Sequence, residues 1–425
     1  MGRWRRTKRE LWSAEVGGPV FPPGRYSRIL FLVVATASVL VAGSLLAEDW
    51  PHWRGPNYDG ITRESLPQAL PDSLPVLWTA EVGIGFSSFS SIGDRVLTMG
   101  HAKGKDTVWC LDADSGEVIW SHSYDCELHP KYYEGGPGGT PTIHEGSVYT
   151  LSKRGHAFRF DLESGEIRWS RDLVADHGLE LPEWNFACSP FIDENRILLN
   201  AGGAGIALSR KTGETVWLSN AETAGYATPV PFAAPGMTHL LHTHGALLGL
   251  DGKTGSVSWR FEDVSGLHAA DPVLDGKRVI LSTNSGTRCI ELGANGKNPI
   301  QVWKQHDLKW YFNAGVLIDG HLYSISGTTH RPTELVCADA TTGETVWAEE
   351  NYATGGLVAT RDAIILLDQG MLTIFPARPD GFEPILEQRV LEGKCWTAPV
   401  LANGRIFCRN AEGKVVALGI RKTKP

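Results

Sequence analysis

The sequence predicts an all-β fold: an eight-bladed β-propeller of four-stranded blades, closed by pairing a strand around Trp78 with the last strands of the chain. Three observations predict it. A turn of the form D-x-x-[ST]-G-x-x-x-W recurs in clear copies. Tryptophans recur at a period in the forties, which marks a propeller or a helical array. Between them, short apolar–polar alternations broken by glycine give strand patterning and no helical period.

The turn copies are Asp112–Trp120 (DADSGEVIW), Asp161–Trp169 (DLESGEIRW), Ser209–Trp217 (SRKTGETVW), Asp251–Trp259 (DGKTGSVSW) and Asp339–Trp347 (DATTGETVW). Weaker copies end at Trp303 and near Gln388. From Trp78 the successive gaps are 42, 49, 48, 42, 44 and 44 residues, then 41 to Gln388. Each unit parses as four strands; in one, Gly139–Ile143 leads in, Val148–Leu151 and Ala157–Phe160 follow, and the outer strand ends at Trp169. The turn Asp accepts backbone hydrogen bonds, and Gly116, Gly165, Gly213, Gly255 and Gly343 supply the positive φ that a side chain resists. Each Trp is expected to lie flat against the next blade. Ala398–Leu418 supplies three strands without a Trp-strand, and Val76–Trp78 is a Trp-strand without its three. Joining the two completes the eighth blade and removes free sheet edges.

The organisation reads as a targeting segment (1–47), a lead-in (48–75), the propeller (76–420) and a short tail (421–425). Arg3, Arg5, Arg6, Lys8, Arg9, Arg25 and Arg28 precede an uncharged apolar run, Ile29–Ala47. Basic region, apolar region and terminal small residue are the parts of a secretory signal. The favoured outcome is cleavage after Ala47, although Leu45 is bulky for the position three before the cut; the run is also just long enough to stay as an anchor. Either way the remainder faces outward, periplasmic or extracellular. The leader holds seven basic and two acidic residues, so its loss moves the formal charge from −8 to −13. An acidic surface argues against nucleic acid as partner, and the membrane is expected only through an uncleaved anchor. A monomer is expected.

Seven cysteines, with no two adjacent and no C-x-x-C, encode neither a zinc nor a dithiol motif. Cys110, Cys289 and Cys337 occupy the same place in different repeats, too far apart to pair, and read as buried thiols.

The repeated turn, spread over residues 76 to 420, resembles the PQQ-type, quinoprotein-like propeller-repeat family. The lead-in Asp49–Gly60 (DWPHWRGPNYDG) is similar to that of many secreted members. The resemblance implies the propeller and leaves two functions open. Some members, the quinoprotein alcohol dehydrogenases, hold pyrroloquinoline quinone and calcium on the axis; another, the assembly lipoprotein BamB, binds protein without a cofactor. The dehydrogenases stack their quinone on a disulfide between adjacent cysteines and carry long inserted loops with a Glu-Asn-Asp calcium set. This chain has no adjacent cysteines, short connections and no such set that can be placed.

Loops leading from each Trp-strand to the next inner strand collect on one face. They supply Tyr132, Tyr133, Trp184, Asn185, Tyr226, His268, Asp271, Trp310, Asn313, Tyr352, Lys394 and Trp396, an aromatic set with a few polar groups suited to a concave ligand site. His268 and Asp271 are the acid–base candidates by location, which would suit a hydrolase. His242 and His244 share a strand face but lack a third metal ligand in sequence, and no metal site is expected. The expectation is a non-catalytic binding propeller for a protein, glycan or small ligand, without cofactor. The alternative is a quinone- and calcium-dependent alcohol or sugar dehydrogenase.

Overall fold

A computed structural model describes residues 47–262, 264–329 and 333–420. The expected signal segment before Ala47 and the tail after Ile420 lie outside the described residues. Eight sheets, each of four antiparallel strands, follow one another around a ring. Their inner strands are Ser90–Ile92, Thr142–His144, Phe191–Asp193, Val230–Ala234, Val273–Asp275, Val316–Ile318, Gly356–Ala359 and Val400–Ala402, blades 1 to 8 in that order. Among the described residues the one helix is Leu173–His177, in the connection from blade 2 to blade 3, capped by the Asp172 carboxylate and by Gly178 in the left-handed conformation.

Each strand boundary follows from the residues that bound it. In blade 2 the strands are Thr142–His144, Ser147–Leu151, His156–Asp161 and Ile167–Asp172. The inner strand is shorter than Gly139–Ile143 suggested: Gly139 lies against the Cys188 and Leu151 carbonyls and precedes the ladder. The outer strand runs three residues past Trp169. Between the last two strands, Asp161 Oδ1 accepts from the Glu163 and Ser164 N–H groups at 3.1 and 3.0 Å, and Gly165 turns the chain at φ 70°.

The repeated Trp joins one blade to the next. Trp120, at the edge of blade 1, donates its indole N–H to the Leu162 carbonyl in the blade 2 turn at 2.8 Å. Its ring lies so close that a Cβ on Gly165 would sit 2.6 Å from it. Trp78 does the same on Ala113 and Gly116, Trp169 on Arg210 and Gly213, Trp217 on Gly252 and Gly255, and Trp303 on Ala340 and Gly343. Trp259 bonds the Gly296 carbonyl and Trp347 that of Arg378. The turn Gly therefore does two jobs: it takes the positive φ and leaves room for the preceding blade's indole.

The closing junction departs from the pattern. Gln388 holds the segment ahead of the Trp78 strand by a paired amide contact, donating to the Leu74 carbonyl at 3.0 Å and accepting its N–H at 2.7 Å. Blade 8 itself is Val400–Ala402, Arg405–Arg409, Lys414–Gly419 and, antiparallel to the last, Val76–Glu81. Arg409, fully buried in this blade, donates to carbonyls of Ser87, Met99 and Gly83, fastening blade 8 to blade 1. All seven cysteines are buried free thiols, and burial pushes the Cys110, Cys289 and Cys337 thiols up, to about 12, 11 and 11.

Gly165→Ala should destabilise, because it combines strained φ with a clash on Trp120; Trp120→Ala should cost about 3–5 kcal/mol through the lost ring and the void left. Urea unfolding followed by near-ultraviolet circular dichroism measures both. Gln388→Ala should cost about 1–3 kcal/mol, because the Leu74 backbone groups lose their partners; an unchanged midpoint would show that the seam does not rely on that amide.

Candidate binding pocket

In an antiparallel four-stranded blade, alternate turns fall on alternate faces of the ring. The blade-to-blade connections therefore gather on one face, with the hairpins between second and third strands. The repeated Asp–Gly turns lie on the other. The lead-in passes along the axis between them. Trp50 bridges Ser91 of blade 1, and Pro51 accepts the Ile143 N–H of blade 2 at 2.7 Å. Tyr58 stacks on His52 at 3.9 Å and rests on Phe191 of blade 3 at 4.8 Å. Ile61 pairs with Ala359 of blade 7. Contacts to inner strands on opposite sides of the ring make this segment a plug.

Arg54 fixes the plug with backbone acceptors: Tyr58 and Asp59 on its own loop, Ala314 and Gly315 ahead of blade 6. Burial holds its pKa below the ordinary value and holds His52 down at about 4, so the histidine is neutral. Trp53 donates its indole N–H to Asp271 Oδ2 at 2.5 Å, and the Thr228 N–H donates to Oδ1 at 2.7 Å. Burial pushes the Asp271 carboxyl up to about 6, opposed by the Arg54 charge, the indole bond and the Thr228 bond.

Above this floor opens a cavity of about 350 Å³. Its lining comes from every blade-to-blade connection except the short one between blades 6 and 7, with Thr329 from a blade 6 hairpin. One wall is a chain of rings: Tyr133 on Phe86 at 5.4 Å, Phe86 on Trp396 at 5.6 Å, Trp396 on Phe312 at 5.0 Å and Phe312 on Tyr311 at 4.4 Å. Trp184 and Tyr226, 5.8 Å apart, form another part of the wall. Asn313 locks two connections together by donating to the Trp396 and Gly355 carbonyls at 2.7 and 3.1 Å. Lys394 sits 4.3 Å over the Trp396 ring and pairs with Glu134 at 2.7 Å, which ties the blade 7–8 connection to the blade 1–2 connection. Tyr132 is 83% exposed with φ 66°, an aromatic ring held out at the mouth on a left-handed backbone.

The structure thus brings together Tyr132, Tyr133, Trp184, Tyr226, Asp271, Asn313 and Trp396 of the residues expected from sequence. The others go elsewhere. Asn185 is buried beside Arg154, whose guanidinium reaches its side-chain oxygen at 3.4 Å. Trp310 is 1% exposed, packed with Ala270, Leu308 and Leu322 in the core between blades. Tyr352 and Lys394 border a second, open recess that also includes Trp396. His268 and Asp271 have separate partners. The His268 ring nitrogen lies 3.0 Å from the Val264 carbonyl, and the ring packs between His242 and His244 at 5.2 and 5.5 Å. Burial lowers the His268 and His242 pKa values, the latter to about 3, and His242 Nδ1 contacts the Ala270 carbonyl. Among the described residues no group of three or more His, Cys, Asp or Glu is placed to hold a metal ion.

Sequence reasoning missed Phe86, Phe186 and Phe312; for the lead-in segment with Trp50, Trp53 and Arg54 it favoured docking on the propeller over ligand binding, and Trp53 both docks and lines the cavity. Phe186 and Phe312 lie two residues beyond Trp184 and Trp310, within loops already singled out. Phe86 lies in the connection that follows the closing strand, which the repeat pattern hides because blade 8 is split between the chain ends.

An acid whose folded pKa is raised keeps a proton that the unfolded chain has already lost. Asp271 should therefore make stability fall as pH rises from about 4 to about 6 and contribute no slope above that. Asp271→Asn should remove this part of the slope, read as the difference in urea midpoint between the two proteins at pH 4 and pH 7. The same titration should move wild-type tryptophan fluorescence near pH 6, because Trp53 donates to the carboxylate.

BamB of Yersinia pestis, an outer membrane protein assembly factor, is 21% identical over 370 residues, spanning 84% of this chain and 81% of the relative. The crystal structure of BamB from Moraxella catarrhalis superposes with a TM-score of 0.61 at 16% identity, over 82% of this chain and 100% of that one. Quinohemoprotein alcohol dehydrogenase from Comamonas testosteroni superposes with a TM-score of 0.65 at 13% identity, over 89% and 81%. At these identities the two structures speak for the fold alone. A family profile described as "Outer membrane protein assembly factor BamB" matches residues 76–181 and 104–349, most of the propeller, and the chain belongs to that family of PQQ-type repeat propellers.

Proposed function

We propose that this chain is an exported, non-catalytic binding propeller that holds a protein partner through its connection face, with an apolar side chain of the partner seated in the aromatic pocket. The observation that carries the reading is the pocket itself: blind at Trp53, walled by rings from connections all around the mouth, with Tyr132 held out beside it. Tyr and Trp on a rigid scaffold provide large contact area at small entropic cost and dominate the energetics of protein interfaces. The role of BamB of Yersinia pestis as an outer membrane protein assembly factor supports a protein as the occupant. The leader expected from sequence would place this face outside the cytoplasm.

The dehydrogenase reading has the shared fold in its favour, but the donors around the pocket do not fit its cofactor. Pyrroloquinoline quinone is a tricarboxylate and needs several cations or donors around its edge. Lys131, the lysine in the lining, pairs with Glu183 at 2.6 Å. Arg54 lies beneath the floor with its donors spent on carbonyls. The carboxylate at the floor, Asp271, would repel a quinone carboxylate.

A photoreactive residue at Tyr132 in the full chain, followed by mass spectrometry of the cross-linked product, should identify a discrete protein partner. Trp184→Ala with Trp396→Ala should weaken capture of that partner at least tenfold while the far-ultraviolet circular dichroism stays that of the folded propeller, as expected for interface anchors. The reading fails if the double variant binds the partner equally well. It also fails if purified protein with added quinone and calcium shows saturable binding and reduces a dye with alcohols.

A further inference from the structure

The first described residues are strapped across the seam where blade 8 meets blade 1. Asp49 Oδ1 accepts from the Gly93 N–H of blade 1 and from the Asn403 side-chain amide of blade 8, both at 2.8 Å. Asn403 donates its backbone N–H to the Glu48 carbonyl at 3.2 Å, and Trp50 exchanges both backbone bonds with Ser91 at 2.8 Å. The Glu48 side chain folds back on the Thr62 hydroxyl and the Arg63 N–H.

Within this strap, Glu64 receives the backbone nitrogen of Glu48. Glu64 is 1% exposed. Its Oε1 accepts from the Glu48 nitrogen at 3.1 Å, and its Oε2 accepts from the Gly404 N–H of blade 8 at 2.9 Å. A buried carboxylate gains from each donor and each positive charge brought to it. In an intact chain the Glu48 nitrogen is an amide with a single hydrogen. If the preceding peptide bond were hydrolysed, the same atom would be an ammonium, bringing full positive charge to a carboxylate already in place. Ala47, the residue before, is exposed, and it is the last residue of the apolar run Ile29–Ala47.

We propose that the leader is cut between Ala47 and Glu48 and that the amino group released there is received by the buried Glu64 carboxylate, pinning the new N-terminus across the seam at which the ring closes. In the cut, made by a leader protease of the export machinery, water adds across the Ala47–Glu48 bond. Ala47 departs with the leader as a carboxylate, and the Glu48 nitrogen leaves as an amine that takes up a proton. Processing then adds an ion pair at the junction of blade 8 with blade 1, which the Trp78 indole also spans. This inference does not depend on what the pocket binds.

Charged groups from three described elements face the amine. Its own segment brings the Glu48 side chain, Asp49, Asp59 and Arg63, the last 3.6 Å from the Glu48 carboxylate. Blade 8 brings Arg405, which donates to the Asn403 carbonyl and pairs with Asp114. Blade 1 brings Asp94 and Arg95, which pair with each other. An ordinary α-amino group titrates at about 7.7–8.0; beside Glu64 it should titrate higher. A raised amine pKa stabilises the fold below the unfolded value, and the benefit is lost as pH rises through the folded value.

The test exports the full chain from a bacterial host and takes the intact mass of the mature protein, which should begin at Glu48. Small residues upstream offer another cut, after Ser44; a mature chain beginning at Leu45, or one retaining the leader, overturns the proposal. The amine of the mature protein should react with an acylating reagent at pH 8 about tenfold more slowly when folded than when denatured. A mature form extended by Gly-Ser ahead of Glu48 should melt lower at pH 7 than the authentic one, and the difference should vanish by about pH 10. Glu64→Gln should abolish the slow acylation; should that variant not fold, the extended form and the denatured reference decide. Equal acylation rates, or equal melting of the extended form at every pH, would also overturn it.

Discussion

The tryptophan laid on its neighbour's glycine turn is the contact from which the rest of this structure follows. A four-stranded blade cannot bury both faces alone, and each indole seals one blade against the next while its N–H satisfies a turn carbonyl that would otherwise face apolar surface. The contact requires a residue without Cβ at the turn, because in blade 2 a methyl group at Gly165 would meet the Trp120 ring at 2.6 Å. Repeated around the ring, it fixes the angle between blades, and that angle determines where the connections converge.

Convergence explains why a pocket exists on this scaffold. Seven connections line the same cavity, and all of them except the one between blades 4 and 5 contribute aromatic rings, several of which lean on one another. The chain of rings and the ties from Asn313 and Lys394 join the connections into one wall. The plug supplies the floor. Because Arg54 and Trp53 are held by groups in the blade 4–5 and 5–6 connections, the lead-in, the ring and the pocket floor depend on the same set of bonds.

The closing junction is the place where this repetition is broken and replaced by other chemistry. The end of blade 7 offers Gln388 and no indole. There the chain uses a paired amide contact to Leu74, and at the next junction, blade 8 to blade 1, it adds to the Trp78 contact a buried arginine reaching three carbonyls and the strap of residues 48–50. A ring is only as strong as its closure, and all three devices are polar and directional, which suits a junction that must form between distant parts of one chain.

What the sequence determined by itself was the repeat: its period, the turn chemistry, the number of blades and the pairing of the Trp78 strand with the last three. Those are local or periodic properties, written wherever an Asp, a Gly and a Trp keep their spacing. It also pointed to the right loops, since Tyr133, Trp184, Tyr226, Asn313 and Trp396 do meet. What only the tertiary structure decided was direction. Trp184 faces the cavity while its neighbour Asn185 turns inward on a left-handed backbone, and Trp310 enters the core while Phe312, two residues on, lines the wall. Spacing along a loop carries no period from which such facing could be read. The pairing of Trp53 with Asp271 joins residues 218 positions apart, and it exists because a ring brings its two ends to one axis.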